Sequence, residues 1–206
     1  RRLGGGPVWI RGAGVPGAGI GVASLPAKAP RHLAMWVDFW DGAGKMIASE
    51  YLSGRNLTWL SVWNEGELIA AQGRERLAYI IPHVSPSGVT GAPAVSRTVS
   101  DPRIHNVGVD AVRAVMPRPH GICFVDMTEK TPGDPRVTEI NVGRFGTTHH
   151  FYSVAGANFP LLVLALGLGR PLPDWARKED VLPADLYWIR TLDAGPALVK
   201  AEDVGR

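Results

Sequence analysis

Thr138-Glu139-Ile140-Asn141-Val142-Gly143-Arg144-Phe145-Gly146 decides how this chain is read. It has the pattern of a strand that ends in polar residues. Side chains alternate faces along a strand, so Glu139 and Asn141 point one way and Ile140 and Val142 the other. A carboxylate beside an amide oxygen suits a hard cation such as Mg²⁺, which takes oxygen ligands and keeps phosphate oxygens in its shell. Arg144, just beyond, offers a planar fork of donors to phosphate charge. The plain structural alternative is a strand that leaves the core and ends in polar residues, and a pattern this short, taken alone, favours it.

The preceding segment bears on that choice. Gly121-Ile122-Cys123-Phe124-Val125-Asp126-Met127-Thr128 is a second apolar strand, with an acid where hydrophobicity should continue. Thr131-Pro132-Gly133-Asp134-Pro135 between them is a turn by composition. Two strands and a short loop predict a hairpin. Closure near Gly133 sets Asp126 opposite Glu139 or Ile140, and a one-residue slip would reverse the face. In the first register Asp126, Glu139 and Asn141 form one oxygen-rich cluster.

Taken together, GICFVDM…VTEINVGRFGTT and the following Ala155-Gly156-Ala157-Asn158-Phe159-Pro160 with its Leu-rich helix resemble the ATP-grasp domain. The likeness is to the carbamoyl-phosphate-synthetase large-chain type and its carboxylate–amine ligase relatives. It implies an α+β fold of ATP-grasp type, with antiparallel sheets, packed helices and two lobes. It also implies that Asp126, Glu139 and Asn141 hold Mg²⁺, or Mn²⁺ in its place, on the phosphates of ATP. Arg144 would then be the catalytic arginine on the transferred phosphoryl. The family pattern is E-x-N-x-R; here Gly143 adds one residue before the arginine.

Composition is consistent with this. The chain has 206 residues, 45% hydrophobic and 20% charged, which is globular rather than disordered. The net charge is +3 and no long basic run occurs, so nothing in the pattern asks for nucleic acid. The longest apolar stretch, Phe159 to Leu168, is too short to span a bilayer. One cysteine, Cys123, excludes an intrachain disulfide, and no signal peptide is visible; both fit the cytoplasm. Seven tryptophans predict heavy cross-strand packing.

At the other end, Pro7 to Arg11 reads as a strand opening onto Gly12-Ala13-Gly14-Val15-Pro16-Gly17-Ala18-Gly19-Ile20-Gly21. Gly12, Gly14 and Gly17 match G-x-G-x-x-G literally, with Asp38 near the distance of a ribose acid. That fingerprint needs a helix from about Gly17 to Leu25, and the run of Gly and Pro opposes one. A glycine-rich flap whose N–H groups nest phosphate is the other reading. No Gly-Lys-Ser/Thr follows, so a Walker loop is excluded. The family likeness assigns ATP phosphates to Arg11 and the loop containing Gly14, Gly17 and Gly19. It also makes Ser49-Glu50-Tyr51-Leu52-Ser53-Gly54-Arg55-Asn56 the adenine hinge. There Glu50 and the backbone of Tyr51 and Leu52 take the base, and Asn56 replaces an acid at the ribose with an amide that both donates and accepts.

Further expectations are local. Leu33 to Trp40 and Lys45 to Leu52 read as strands. Leu57 to Trp63 and Leu68 to Gln72 form a hairpin around Asn64-Glu65-Gly66-Glu67, with Trp59 and Trp63 packed together. Arg74-Glu75-Arg76 reads as a solvated strand edge, Leu77 to Ile81 as apolar, and 82–98 as a long loop of a length that is often functional; the family resemblance implies that it borders the reaction centre. By resemblance, Thr90 in that loop stands where the synthetases carry a histidine. Asp101 to Met116 is a helix with Asp101 as N-cap and Pro102 at its first turn, its core face being Ile104, Val107, Ala111, Val112 and Val115. His105 and His120 have no partner at metal spacing and read as structural; of His149 and His150, just past Arg144, at most one can face a site, since neighbours on a strand point opposite ways. Leu186 to Arg190 is a strand covering an edge.

The domains expected are 1–50 as a glycine-rich small ATP lobe, 51–170 as the large lobe, and 171–206 as a C-terminal extension. The resemblance implies an ATP- and Mg-dependent ligase joining a small-molecule carboxylate to an amine or ammonia through an acyl phosphate. The upstream substrate domain of such enzymes is not in this sequence, which implies a partner chain that supplies it or a longer product. Two alternatives stand beside this: a non-catalytic nucleotide-binding or structural subunit, and an NAD-dependent oxidoreductase resting on the glycine match alone.

Overall fold

The computed structural model describes residues 6–13, 24–40, 46–85, 87–89, 91–193 and 195–204. They fall into two units, Arg1–Leu52 with Tyr79–Gly91, and Ser53–Ala78 with Ala92–Arg206. Each is α+β and built on antiparallel pairing.

In the first unit, β1 (Val8–Gly12) lies between β2 (Ser24–Ala27) and β3 (Met46–Glu50). Helix α1 (Pro30–Phe39) covers one face, where Ile10, Ala27 and Trp36 form a small core with Leu33 and Trp40 packed against it. The expected strand at Leu33 to Trp40 is therefore a helix. Pro30 sits in its first turn, and Leu33, Trp36 and Trp40 recur at helical spacing toward the sheet. Strand β2 pairs antiparallel with β1, Ile10 opposite Leu25 and Arg11 opposite Ser24. A dinucleotide fold would need a helix reaching Leu25 and a parallel return strand. Leu25 lies in a strand of the opposite direction, so the oxidoreductase reading fails.

The second unit is a seven-stranded sheet ordered β10-β9-β6-β5-β4-β7-β8. Its central hairpin is β4 (Asn56–Asn64) and β5 (Glu67–Tyr79), closed by Glu65 at φ 51° and Gly66 at φ 93°. Two consecutive left-handed residues make the turn that matches strand twist. Strand β5 is one continuous element inside the sheet. The expected solvated edge at Arg74 to Arg76 is thus a mid-sheet segment, in which Arg74 and Glu75 are buried. Strand β6 (Pro93–Val99) shortens the expected loop 82–98. Strand β7 (Gly121–Glu129) pairs with β4 and with β8 (Pro135–Val142). The tail is no separate extension: β9 (Leu186–Arg190) pairs with β6, and β10 (Pro196–Lys200) extends the sheet beyond it.

Helix α2 (Pro102–Val115) covers one face of this sheet. Asp101 caps it, accepting from the Arg103 N–H at 3.0 Å. Ile104, Gly108 and Val112 are its buried residues, whereas Val115 is exposed, contrary to expectation. Trp59 and Trp63 pack edge to face beneath it, centroids 6.5 Å apart. Gly108 lies against Trp59, where a Cβ would come within 2.4 Å of the ring. Alanine normally gains about 1 kcal/mol over glycine inside a helix. Overpacking against an immobile indole costs about 1–3 kcal/mol and wins. Gly108→Ala is therefore expected to lower the urea midpoint; an increase would show that α2 is free to shift. The other face carries α3 (His149–Val154) and α4 (Phe159–Gly167), which bury Phe151, Tyr152, Phe159 and Leu162 over Leu60, Val62, Ile122 and Phe124. Asn158 caps α4, accepting from Leu161 N–H at 3.0 Å.

Candidate metal and phosphate site

The hairpin β7–β8 has the register the oxygen cluster needs: Asp126 is directly opposite Glu139, and Phe124 opposite Asn141. A bulge at Asp126/Met127 makes Thr138 the extra residue, and its hydroxyl donates to the Asp126 carbonyl at 3.1 Å. Directly paired residues share a face. The neighbouring pairs extend this into rows across four strands. Glu139, Asp126, Thr58 and Arg74 form one row. Asn141, Phe124, Leu60 and Gln72 form the next toward the helices, and Thr128, Asn56 and Arg76 lie in the row on the other side. Polar chemistry thus gives way, in one step along the strands, to the apolar floor under α3 and α4.

The side chains within these rows are bonded to one another. The Arg76 guanidinium donates to Asp126 Oδ1 at 2.8 Å. The Thr58 hydroxyl donates to the same oxygen at 2.9 Å and itself accepts from Arg74 at 3.1 Å. Asp126 Oδ2 makes no hydrogen bond to a described residue. Gly143 adopts φ 73°, a left-handed conformation cheap only for glycine, and its N–H donates to the Ile122 carbonyl at 3.0 Å. That turn absorbs the extra residue, and Arg144 folds back to donate to Asn141 Oδ1. Tyr152, fully buried, approaches the same charges. Burial raises its phenol pKa, Arg74 and Arg76 opposing, and its hydroxyl has no hydrogen-bond partner among the described residues.

The donor set fits a divalent ion. Two carboxylates face one another, an amide oxygen is two residues along, and every donor is oxygen, the preference of Mg²⁺. Cationic groups already stand on two of these donors, Arg76 on Asp126 and Arg144 on Asn141. Asn56 falls in the Arg76 row. Sequence reasoning missed Arg74, Arg76 and Thr58. The signal was the alternation Gln72, Arg74, Arg76 against Ala71, Gly73, Glu75, which puts successive guanidiniums on one face.

The remaining candidates divide. In the first unit, Arg11 is opposite Ile47, and Trp9 stacks on Tyr51 with centroids 6.4 Å apart. Glu50 is opposite Val8, on the alternate face of the three-stranded sheet. The register therefore separates the side chains of Arg11 and Glu50, and does not put them on one surface. Leu52 follows Tyr51 at the end of that unit's first segment. Gly14, Gly17 and Gly19, with Thr90, lie outside the described residues. The histidines are engaged elsewhere: His149 with the Gly146 carbonyl at 2.8 Å, His120 with Glu65 at 3.0 Å, and His105 and His150 against tryptophan rings. Cys123 is buried on the α2 face, and burial pushes its thiol to about 11.

No protein-family model and no curated protein matches the chain. Solved structures do match. A biotin carboxylase–β-γ-ATP complex from Campylobacter jejuni is 15% identical with a TM-score of 0.65, over 89% of this chain and 41% of that one. The biotin carboxylase domain of Hydrogenobacter thermophilus 2-oxoglutarate carboxylase, bound to MgADP, ADP and bicarbonate, is 12% identical with a TM-score of 0.63, over 89% and 40%. An L-amino acid ligase from Bacillus licheniformis is 16% identical with a TM-score of 0.59, over 88% and 43%. The chain thus has the fold of the ATP-grasp superfamily. It spans about two fifths of the length of the chains it matches.

Proposed function

We propose that the chain is the nucleotide- and metal-binding part of an ATP-dependent ligase that activates a carboxylate as an acyl phosphate for attack by an amine or ammonia. One observation carries this: Asp126 and Glu139 pair directly across two strands, with Asn141 on the same face and Arg76 at their side. The matched structures include proteins solved with an ATP analogue and with MgADP, which supports the nucleotide class.

In this reading Asp126, Glu139 and Asn141 hold Mg²⁺, which supplies charge neutralisation to the phosphates when bound. Arg144 leaves Asn141 Oδ1 and turns its fork to the γ-phosphoryl. Arg11 and the loop containing Gly14, Gly17 and Gly19 contact the phosphates. The backbone of Tyr51 and Leu52 holds the adenine edge. Glu50 lies beside that segment, and Asn56 meets the ribose through its amide. The work of these residues is positioning and electrostatic stabilisation, which is most of what phosphoryl transfer needs. The amine, the carboxylate and a chain completing the substrate side belong to the same proposal.

Calorimetric titration with a non-hydrolysable ATP analogue, with and without Mg²⁺, tests it. Wild type should bind at least about tenfold more tightly with the metal, and Asp126→Asn should erase that difference. Identical affinities with and without Mg²⁺ in the wild type would remove the metal site. Metal-dependent binding with no ligase turnover, in the presence of any partner chain, would mark a binding subunit.

A further inference from the structure

Charge at the cluster is not what a free-ion site needs. Two carboxylates, Asp126 and Glu139, face the metal position, and Arg74, Arg76 and Arg144 share the same corner of the sheet. Arg76 is the close one: its side chain is 11% exposed and that of Asp126 is 23%, and they meet at 2.8 Å. Thr58 also bonds Asp126 Oδ1 and is itself held by Arg74. One carboxylate oxygen therefore takes two hydrogen bonds, and the other makes none to a described residue.

We propose that Arg76 is a built-in counter-ion of the metal carboxylate, so that the site refuses a bare divalent cation and takes one only together with a polyphosphate. Arg76 is a positioning residue in this scheme. It keeps Oδ1 of Asp126 occupied and presents Oδ2 alone to the ion. The positive charge of Arg76 and Arg144 is met by phosphate oxygens, which a free ion does not bring. The inference rests on the metal reading of Asp126 and Glu139, and it adds an order: ion and nucleotide arrive as one ligand.

The test is manganese binding followed by electron paramagnetic resonance, without nucleotide, for wild type, Arg76→Gln and Arg76→Lys. Wild type should bind free Mn²⁺ no more tightly than about 1 mM. Arg76→Gln, with one positive charge removed a few ångströms from a doubly charged ion, should bind it about tenfold more tightly or better. Arg76→Lys, which restores the charge, should return toward wild type. Adding Glu139→Gln to Arg76→Gln should remove the gain, which locates the ion. No gain in Arg76→Gln, or micromolar Mn²⁺ binding by wild type alone, overturns the proposal. If Arg76→Gln does not fold, the wild-type titration still decides: micromolar binding refutes the counter-ion, and millimolar binding that tightens about a hundredfold with a non-hydrolysable ATP analogue sustains it. The two readings fail separately. Metal-dependent nucleotide binding in wild type with no gain in Arg76→Gln sinks the counter-ion alone. A gain in Arg76→Gln with no metal-dependent nucleotide binding in wild type sinks the nucleotide reading, and with it the joint arrival of ion and nucleotide, and leaves Arg76 only as the counter-ion of Asp126.

Discussion

Glu139→Gln is expected to weaken magnesium–nucleotide binding by about 100-fold, or roughly 2.7 kcal/mol, while His149→Ala stays within about twofold. The first substitution keeps shape and length and removes a charge. Glu139 is exposed, on an outer strand of the sheet, so folding does not depend on it. Its carboxylate is directly across from Asp126, and Asp126 already spends one oxygen on Arg76 and Thr58. Glu139 brings the second full negative charge to the site, and the affinity of a hard cation follows ligand charge. Asp126→Asn has a second consequence: it releases Arg76, which then attracts phosphate directly. Loss of metal dependence there is partly offset by stronger metal-free binding, so Glu139→Gln is the cleaner probe. His149 lies beyond Arg144 in sequence but turns its ring to the Gly146 carbonyl and packs near Phe145. Equal losses from the two variants in calorimetry would remove the metal assignment.

Much of this site is legible in the residues themselves. The turn residues 131–135 define a hairpin, alternation puts Glu139 with Asn141, and closure near Gly133 restricts the register to two choices. The bulge at Asp126/Met127 is not legible, because an extra residue such as Thr138 leaves no local mark. Arg74 and Arg76 are hidden for a different reason. A strand carrying Gln72, Arg74, Glu75 and Arg76 looks solvated by composition, and only its neighbours make it internal. One neighbour, β4, is joined to it by a two-residue turn, but the other, β6, comes from long-range pairing and lies beyond a segment that reads as loop. In helix α1 two signals compete: Leu33, Trp36 and Trp40 carry the helical spacing, but the aromatic content of Trp36, Phe39 and Trp40 suggests a strand. The exclusion of the dinucleotide fold is legible, since the glycines and prolines after Arg11 oppose a helix, and β2 is antiparallel.

On the α2 side of the same sheet, Glu129→Ala should be the most damaging of the charge deletions, costing about 3–5 kcal/mol. Glu129 is 2% exposed. Arg55 grips it with two bonds, 2.9 and 2.7 Å, and the Gly133 N–H adds a third at 3.0 Å. The same Arg55 lies 3.6 Å from Asp101 and 3.9 Å from Glu75, and Glu75 is held by Arg97 at 2.8 Å. The network ties the end of β7 and its turn to the start of α2 and to β5. Removing Glu129 leaves a partly buried guanidinium with only distant partners, and burial makes that costly. For a chain of this size the melting midpoint should fall by about 10 °C. The acid limb of stability carries the same signature. The Arg55 side chain, bonded to Glu129, holds its carboxyl below the usual 4.5, burial opposing. Arg103 likewise holds Asp101 below 3.8. A carboxyl depressed in the folded state contributes stability that is complete above its unfolded pKa and is lost as pH falls through the folded value. Wild type should therefore lose stability below about pH 4.5, and Glu129→Gln should show a shallower loss across the same window. Equal acid limbs in the two proteins, or a melting shift under about 2 °C for Glu129→Ala, would mean that the sheet and α2 hold together without this pair.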